Sequence, residues 1–186
     1  MKEISLNILD IAENSVKAGA ILTEITVEET GDTLTLIIRD DGCGMDEETC
    51  RRVTDPFYTT RTTRPVGMGL PLLQLEAEQT GGTLTVESRP AAAFPDSHGT
   101  EVRAVFHTDH IDCPPIGDIV STLVTFIQGH PDSDLRFIHT RPDNEPVELD
   151  SREMRQVLDG VPLDSFEVLQ WINGFLREQY DGEAGR

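Results

Sequence analysis

Residues 33–46 read TLTLIIRDDGCGMD, an alternating apolar run that ends on two carboxylates and opens into a glycine-bearing turn. The alternation predicts a strand over 33–40, and the residues after it a loop followed by a short helix to about Val53. Upstream, residues 21–29 (ILTEITVEE) alternate as a second strand, with Glu29 to Asp32 as the connecting turn. Ahead of both, Ile4 to about Lys17 is spaced as a helix, with Ile4, Ile8, Ile11 and Ser15 on one side and Gly19 as the stop. Opposite them, Asn7, Asp10, Asn14 and Lys17 form a polar row at intervals of 3, 4 and 3.

Downstream, residues 55–69 are rich in Pro, Thr and Gly without periodicity, which reads as a long functional loop. A helix is predicted from Leu70 to about Gln79, with Pro71 tolerated in its first turn. GGTLTVESR and HGTEVRAVF then read as a strand pair. This order predicts an α+β fold: a two-layer α/β sandwich with a mixed sheet and helices on one face. Beyond residue 107 the pattern predicts a small α/β extension. It holds a helix near 116–128, a hairpin from DLRFIHTR and EPVELDS, and helices near 152–158 and 163–180. The boundary rests on motifs, because net charge is −9 before it (9 basic, 18 acidic) and −10 after it (6 basic, 16 acidic).

The whole chain has 34 acidic and 15 basic residues, a formal net charge of −19 and a pI near 4.4. That sign argues against binding DNA or RNA through the phosphate backbone, and against docking on anionic membrane. No apolar run approaches the roughly 20 residues a membrane helix needs. MKEISLNILD lacks the basic start and apolar middle of a signal peptide. Three cysteines, Cys43, Cys50 and Cys113, are odd in number and not at zinc-site spacing. These features predict a reduced, cytoplasmic protein.

Three clusters with chemistry lie along this frame. On the first helix, Asp10 offers a base, Asn14 a metal-binding amide oxygen and Lys17 a phosphate-binding cation; a solvated helix face shows the same row. The second cluster is Asp40-Asp41-Gly42-Cys43-Gly44. A carboxylate at a strand end accepts a hydrogen bond from the exocyclic amine of adenine, and glycines beside it admit a flat base. Guanine would set a carbonyl oxygen against that carboxylate. A plain strand-to-helix turn has the same composition. In the third, Gly67-Met68-Gly69-Leu70 leads into a helix whose free N–H groups and dipole suit an anion. Thr59, Thr60, Arg61 and Thr62 lie within reach, and a simple helix start accounts for the glycines equally. Neither a Rossmann nor a Walker A loop fits, since the third glycine and a directly preceding strand are missing and no Gly-Lys-Ser/Thr follows. The HTDHID run (107–112) reads as metal ligands or as a solvated strand end.

In order and spacing, these motifs resemble the GHKL ATP-binding family of histidine kinases, gyrase-type topoisomerases, the Hsp90 chaperone and mismatch-repair MutL. ILDIAENSVKAGA is similar to the family's N box and RDDGCGMD to its adenine-binding G1 box. DPFYTTRTTRPVGMGL is similar to its F box, lid and G2 box, and HGTEVRAVF to its closing Gly-Thr strand. The resemblance covers about residues 4–107 and implies a Bergerat fold for an ATP-binding domain over 1–107, with 108–186 as an extension of unassigned role. It implies ATP and Mg²⁺ as ligands, with Asn14 coordinating the ion, Lys17 touching phosphate and Asp40 holding adenine. Gly42 and Gly44 would shape the floor and Thr100 would support the base. Gly67, Gly69 and Leu70 would form the hinge over the phosphates, with Thr59, Thr60 and Arg61 in the lid.

Two departures qualify the resemblance. ATP-hydrolysing members carry a glutamate four residues before the N-box asparagine. Here Asp10 stands there, about 1.5 Å shorter, while Glu13 directly precedes Asn14. Slow intrinsic hydrolysis is therefore expected, with Asp10 as a base or a water-orienting group. No histidine has the His-Glu-x-x-x-Pro setting, and the N box begins within ten residues of Met1, which disfavours an autophosphorylating sensor kinase. A short, acidic second part disfavours MutL-like DNA repair.

The expected function is a regulatory kinase that phosphorylates a protein partner in trans. The alternatives are an ATP-switched binding module and a slow ATPase assisting assembly of a redox enzyme. The segment CPPIGDIVSTLVT, from Cys113, is similar to one in small stand-alone proteins found beside iron-only hydrogenase genes in anaerobic bacteria. The last helix carries Phe166, Leu169, Trp171, Ile172, Phe175 and Leu176, apolar enough to serve a partner or a homodimer as well as its own domain.

Overall fold

The spacing of Ile4, Ile8 and Ile11 folds as helix α1 (Ile4–Lys17), and all three side chains are buried. The computed structural model describes residues 3–55 and 69–182. Strands β1 (Leu22–Thr30) and β2 (Thr33–Asp40) pair antiparallel, with Thr30 opposite Thr33. Next comes α2 (Glu47–Arg52), whose first turn is capped by Asp46 accepting the Thr49 N–H. Helix α3 (Gly69–Gln79), strands β3 (Thr83–Arg89) and β4 (Gly99–His107) and helix α4 (Ile119–Gly129) follow. The chain ends in β5 (Asp134–Thr140), β6 (Val147–Asp150), α5 (Ser151–Leu158) and α6 (Phe166–Asp181). Helix α4 begins three residues later than its periodicity suggests, because Asp118 accepts the Ser121 N–H at 3.0 Å and sets the N-cap.

The strands form one mixed sheet in the order β3-β4-β2-β1-β5-β6, antiparallel except where β5 runs parallel to β1. Alternation gives the sheet two different faces. On one, Ile25, Leu36, Ile38, Val102, Phe106 and Phe137 are buried against Ile8, Ile11, Leu73, Leu123, Phe126 and Ile172 of the helices. The other carries the Arg39–Glu101 and Arg136–Glu24 ion pairs. The result is the two-layer α+β architecture that the pattern predicts.

The chain beyond residue 107 continues this sheet instead of starting another. Ile25 on β1 has Ile38 on one side and Phe137 on the other. Buried His139 bonds Glu29 through Nε2 at 2.9 Å and the Tyr180 hydroxyl through Nδ1 at 2.8 Å, tying α6 to two strands. The start of α1 is held by the same region, since Ile4 and Ser5 donate their N–H groups to the carbonyls of Pro115 (3.0 Å) and Ile116 (2.9 Å). No helix among the described residues is long and apolar enough to cross a membrane.

Candidate nucleotide site

Strand β2 ends on Asp40, whose register partner on β4 is Thr100. Both carboxylate oxygens of Asp40 are engaged: Oδ2 accepts the Ser15 hydroxyl of α1 at 2.8 Å, and Oδ1 the Gly42 N–H at 2.9 Å. Its neighbour does something different. Asp41 Oδ1 accepts the N–H groups of Ile21 (2.7 Å) and Leu22 (2.9 Å) and so fastens the start of β1. The two adjacent aspartates are thus divided between a side-chain site and a backbone clasp.

The glycines beside Asp40 are required by close approach. A Cβ on Gly42 would lie 2.9 Å from Ala18 Cβ and 3.0 Å from Asp40 Oδ1. Gly44 has φ +65°, and a Cβ there would overlap the Arg89 carbonyl oxygen. Thr100 Oγ1 shares a 2.9 Å hydrogen bond with Ser88 Oγ, which also accepts the Met45 N–H at 2.7 Å. His98 Nδ1 donates to the Gly42 carbonyl at 2.5 Å, which fixes that nitrogen as the protonated one.

At the other end of the site, α1 meets the start of α3. A Cβ on Gly69 would overlap Asp10 Oδ2, so the carboxylate lies directly against the first residue of α3. One turn earlier, buried Asn7 donates to Glu76 Oε2 at 2.6 Å. The polar row of α1 therefore faces α3 at Asn7 and Asp10. Asn14 is half-buried one turn beyond Asp10. Lys17 leaves the row: it pairs with Glu13 at 3.5 Å on an exposed side. Burial pushes the Glu13 carboxyl up, but the 2.7 Å bond to His130 Nε2, the charge of His130 and Lys17 together hold it below the usual carboxylate range. Leu70 is half-buried against the core. Thr59, Thr60, Arg61, Thr62 and Gly67 lie outside the described residues. From the HTDHID run, His107 and Asp109 come together with Asp32, their ligand atoms within 4.8 Å of one another. Register places Thr33, next to Asp32, opposite His107, at the far end of β2 from Asp40.

Residues 1–110 match the family described as histidine kinase-, DNA gyrase B-, and HSP90-like ATPase. The chain belongs to that family. Among its curated relatives, sporulation kinase C of Bacillus subtilis is 27% identical over 88 residues, 47% of this chain and 20% of its own length. The sensor histidine kinase ZraS of Klebsiella oxytoca is 31% identical over 91 residues, 48% of this chain and 19% of its own length. The chain thus spans about a fifth of the length of either relative. A crystal structure described as the N-terminal domain of a DNA repair protein shares the fold with a TM-score of 0.56 and 16% identity, over 81% of this chain and 53% of that one.

Three residues of this site escape a reading of the sequence alone: Ser15, Ser88 and His98. Ser15 left a signal, as the one polar member of the buried Ile4, Ile8, Ile11, Ser15 side of α1. Ser88 and His98 gave none, because their roles depend on strand register and on the path of the loop before β4.

Proposed function

We propose that the chain binds ATP with Mg²⁺ and acts as a regulatory kinase, passing the γ-phosphoryl group to a partner protein and releasing ADP. The observation that carries this reading is the Asp40 carboxylate, held at both oxygens by Ser15 and Gly42 above a floor that only glycine fits. Each oxygen keeps a further lone pair, so the group still accepts from an exocyclic amine.

The residues at the other end suit the rest of such a ligand. Asp10 and Asn14 place a carboxylate and an amide oxygen one turn apart on α1, a donor set that fits a hard divalent cation which retains water. The start of α3 offers N–H groups to anionic oxygens. In this reading Asn14 holds the ion, Thr59, Thr60, Arg61, Gly67, Gly69 and Leu70 serve the phosphates, and Lys17 joins them by giving up its exposed pairing with Glu13. Thr100 supports the base through its bond to Ser88. Asp10, a methylene shorter than glutamate and packed on Gly69, supports slow transfer to water. Bacterial relatives named as sensor and sporulation kinases support a bacterial regulatory setting.

A second reading is an ATP-switched module without phosphoryl transfer. It is favoured by the Asp10–Gly69 contact, which couples α1 to the start of α3.

Calorimetry with Mg-ATP tests the nucleotide. Asp40→Asn is expected to weaken binding about 10- to 100-fold, the worth of a hydrogen bond to a charged group, with an unchanged circular dichroism spectrum. Asp41→Asn serves as the control that leaves affinity within about twofold, because its contacts are to backbone. Wild-type affinity in Asp40→Asn refutes the assignment. Incubation with γ-labelled ATP and co-purified proteins then separates the activities. Label on a partner supports the kinase, free phosphate alone the slow ATPase, and neither the switched module.

A further inference from the structure

The chain's second concentration of chemistry lies at the opposite edge of the sheet from β3 and β4. A groove of about 1190 Å³ opens between α5, α6 and β6. Its wall is apolar and exposed: Val157 is 84% exposed, Trp171 56% and Phe175 36%. The Trp171 and Phe175 rings stack at 4.9 Å and present one flat surface, with Met154 and Leu158 facing the groove from α5. Helix α6 buries Val168, Leu169, Ile172 and Leu176 against its own core, so Trp171 and Phe175 form a second apolar stripe that intramolecular packing leaves uncovered.

Two observations say what covers it. The first is the state of the edge strand. Glu148 of β6 donates its N–H to Gln179 Oε1 at 2.9 Å and accepts from Gln179 Nε2 at 3.1 Å at its carbonyl. The carboxamide of α6 thereby takes the place of a neighbouring strand, and an added strand finds this part of the edge already occupied. An apolar groove beside a closed edge suits a helix laid in by its apolar face.

The second is charge. Of the basic groups lining the groove, Arg152 is bonded to Asp150 and Arg136 to Glu24. Glu145, Glu148 and Glu153 therefore set the sign of the rim. A second copy would bring an acidic rim against an acidic rim on chains of net charge −19. We infer that the groove seats a basic amphipathic helix of a partner protein. The inference does not depend on the nucleotide site.

Trp171 is the chain's single tryptophan, so its emission reports the groove directly. The full chain is titrated with an 18-residue Leu/Lys peptide of helical amphipathic spacing, and with the same peptide carrying Glu for every Lys. The expected result is a saturable blue shift with the Lys peptide alone. Val157→Glu, at a position too exposed to affect folding, is expected to weaken binding at least about tenfold. Glu145→Lys combined with Glu153→Lys is expected to weaken it about tenfold by removing charge complementarity. The inference is overturned by any of four results. These are no shift with the Lys peptide, equal binding of the Glu peptide, Lys-peptide binding unaffected by Val157→Glu, or a dimer in sedimentation that Val157→Glu dissociates.

Discussion

The Ser15 hydroxyl meets the Asp40 carboxylate at 2.8 Å, joining the buried side of α1 to the end of β2. The same oxygen lies 3.3 Å from the Ile11 carbonyl, and the shorter contact takes the single proton. Ser15 thus holds Asp40 in one rotamer before any ligand arrives. Ser15→Ala leaves the carboxylate in place but frees its rotation. ATP affinity is expected to fall about five- to tenfold, the usual net worth of one such bond. Preference for ATP over GTP is expected to fall with it, since discrimination depends on a fixed acceptor. Calorimetry with both nucleotides measures the two quantities; an unchanged ATP-to-GTP ratio would show that Ser15 serves only the core.

Asp10 and Gly69 are a second pair that the fold brings together from separate motifs. In Gly69→Ala the new methyl competes with the Asp10 carboxylate for one volume. Either Asp10 swings away or α3 shifts, at a cost of about 1–3 kcal/mol. Asp10→Ala clears the space, so the double variant is expected to recover most of that loss. A coupling of at least about 1 kcal/mol in urea denaturation is expected. Simple additivity would mean that the contact is not made in solution.

The Glu13 carboxyl is held below its ordinary 4.5: burial raises it, and the bond and charge of His130 with the charge of Lys17 outweigh that rise. A carboxyl with a depressed folded pKa stabilises the fold above its unfolded value. That contribution is lost as pH falls through the folded pKa. The stability difference between wild type and Glu13→Gln is therefore expected to shrink as acidification takes the pH from about 5 down through the folded pKa. It is well under about 1 kcal/mol for so exposed a pair. Denaturant midpoints across that range measure it, and a difference that grows on acidification contradicts the assignment.

The local patterns were legible because they are local. The spacing of Ile4, Ile8 and Ile11, the alternation in 33–40 and the glycines around Asp40 each answer to neighbours within a few residues. The polar row of α1 was legible as a row and not in its destinations. Asn7 meets Glu76 and Asp10 meets Gly69 only because α3 docks there, some sixty residues later, while Lys17 turns to Glu13. Asp40 and Asp41 are alike in sequence, and only the register of β1 against β2 tells the group bonded to Ser15 from the backbone clasp. The parallel pairing of β5 with β1 left no trace in either strand's pattern. Both faces of such a pairing are set by chain segments more than a hundred residues apart.

That pairing governs what the ATPase-like region can do by itself. A fragment ending at residue 107 would lose β5 from the edge of β1, and with it Leu135 and Phe137, both fully buried. It would also lose α4, whose Leu123, Phe126 and Ile127 are buried in the same core as Ile4 and Ile8. The acceptors of the Ile4 and Ser5 N–H groups at Pro115 and Ile116 would go as well, loosening the start of the helix that carries Asp10, Asn14 and Ser15. Burying one large apolar side chain is worth about 1.5–3 kcal/mol, and a domain has only about 5–15 kcal/mol to lose. The fragment is therefore expected to lack a cooperative thermal transition, to associate through the bared β1 edge, and to bind Mg-ATP at least about a hundredfold more weakly than the full chain. Circular dichroism melting, light scattering and calorimetry on the two chains decide the point. A fragment that melts cooperatively and keeps full affinity would mean that residues 108–186 ride on the site without supporting it.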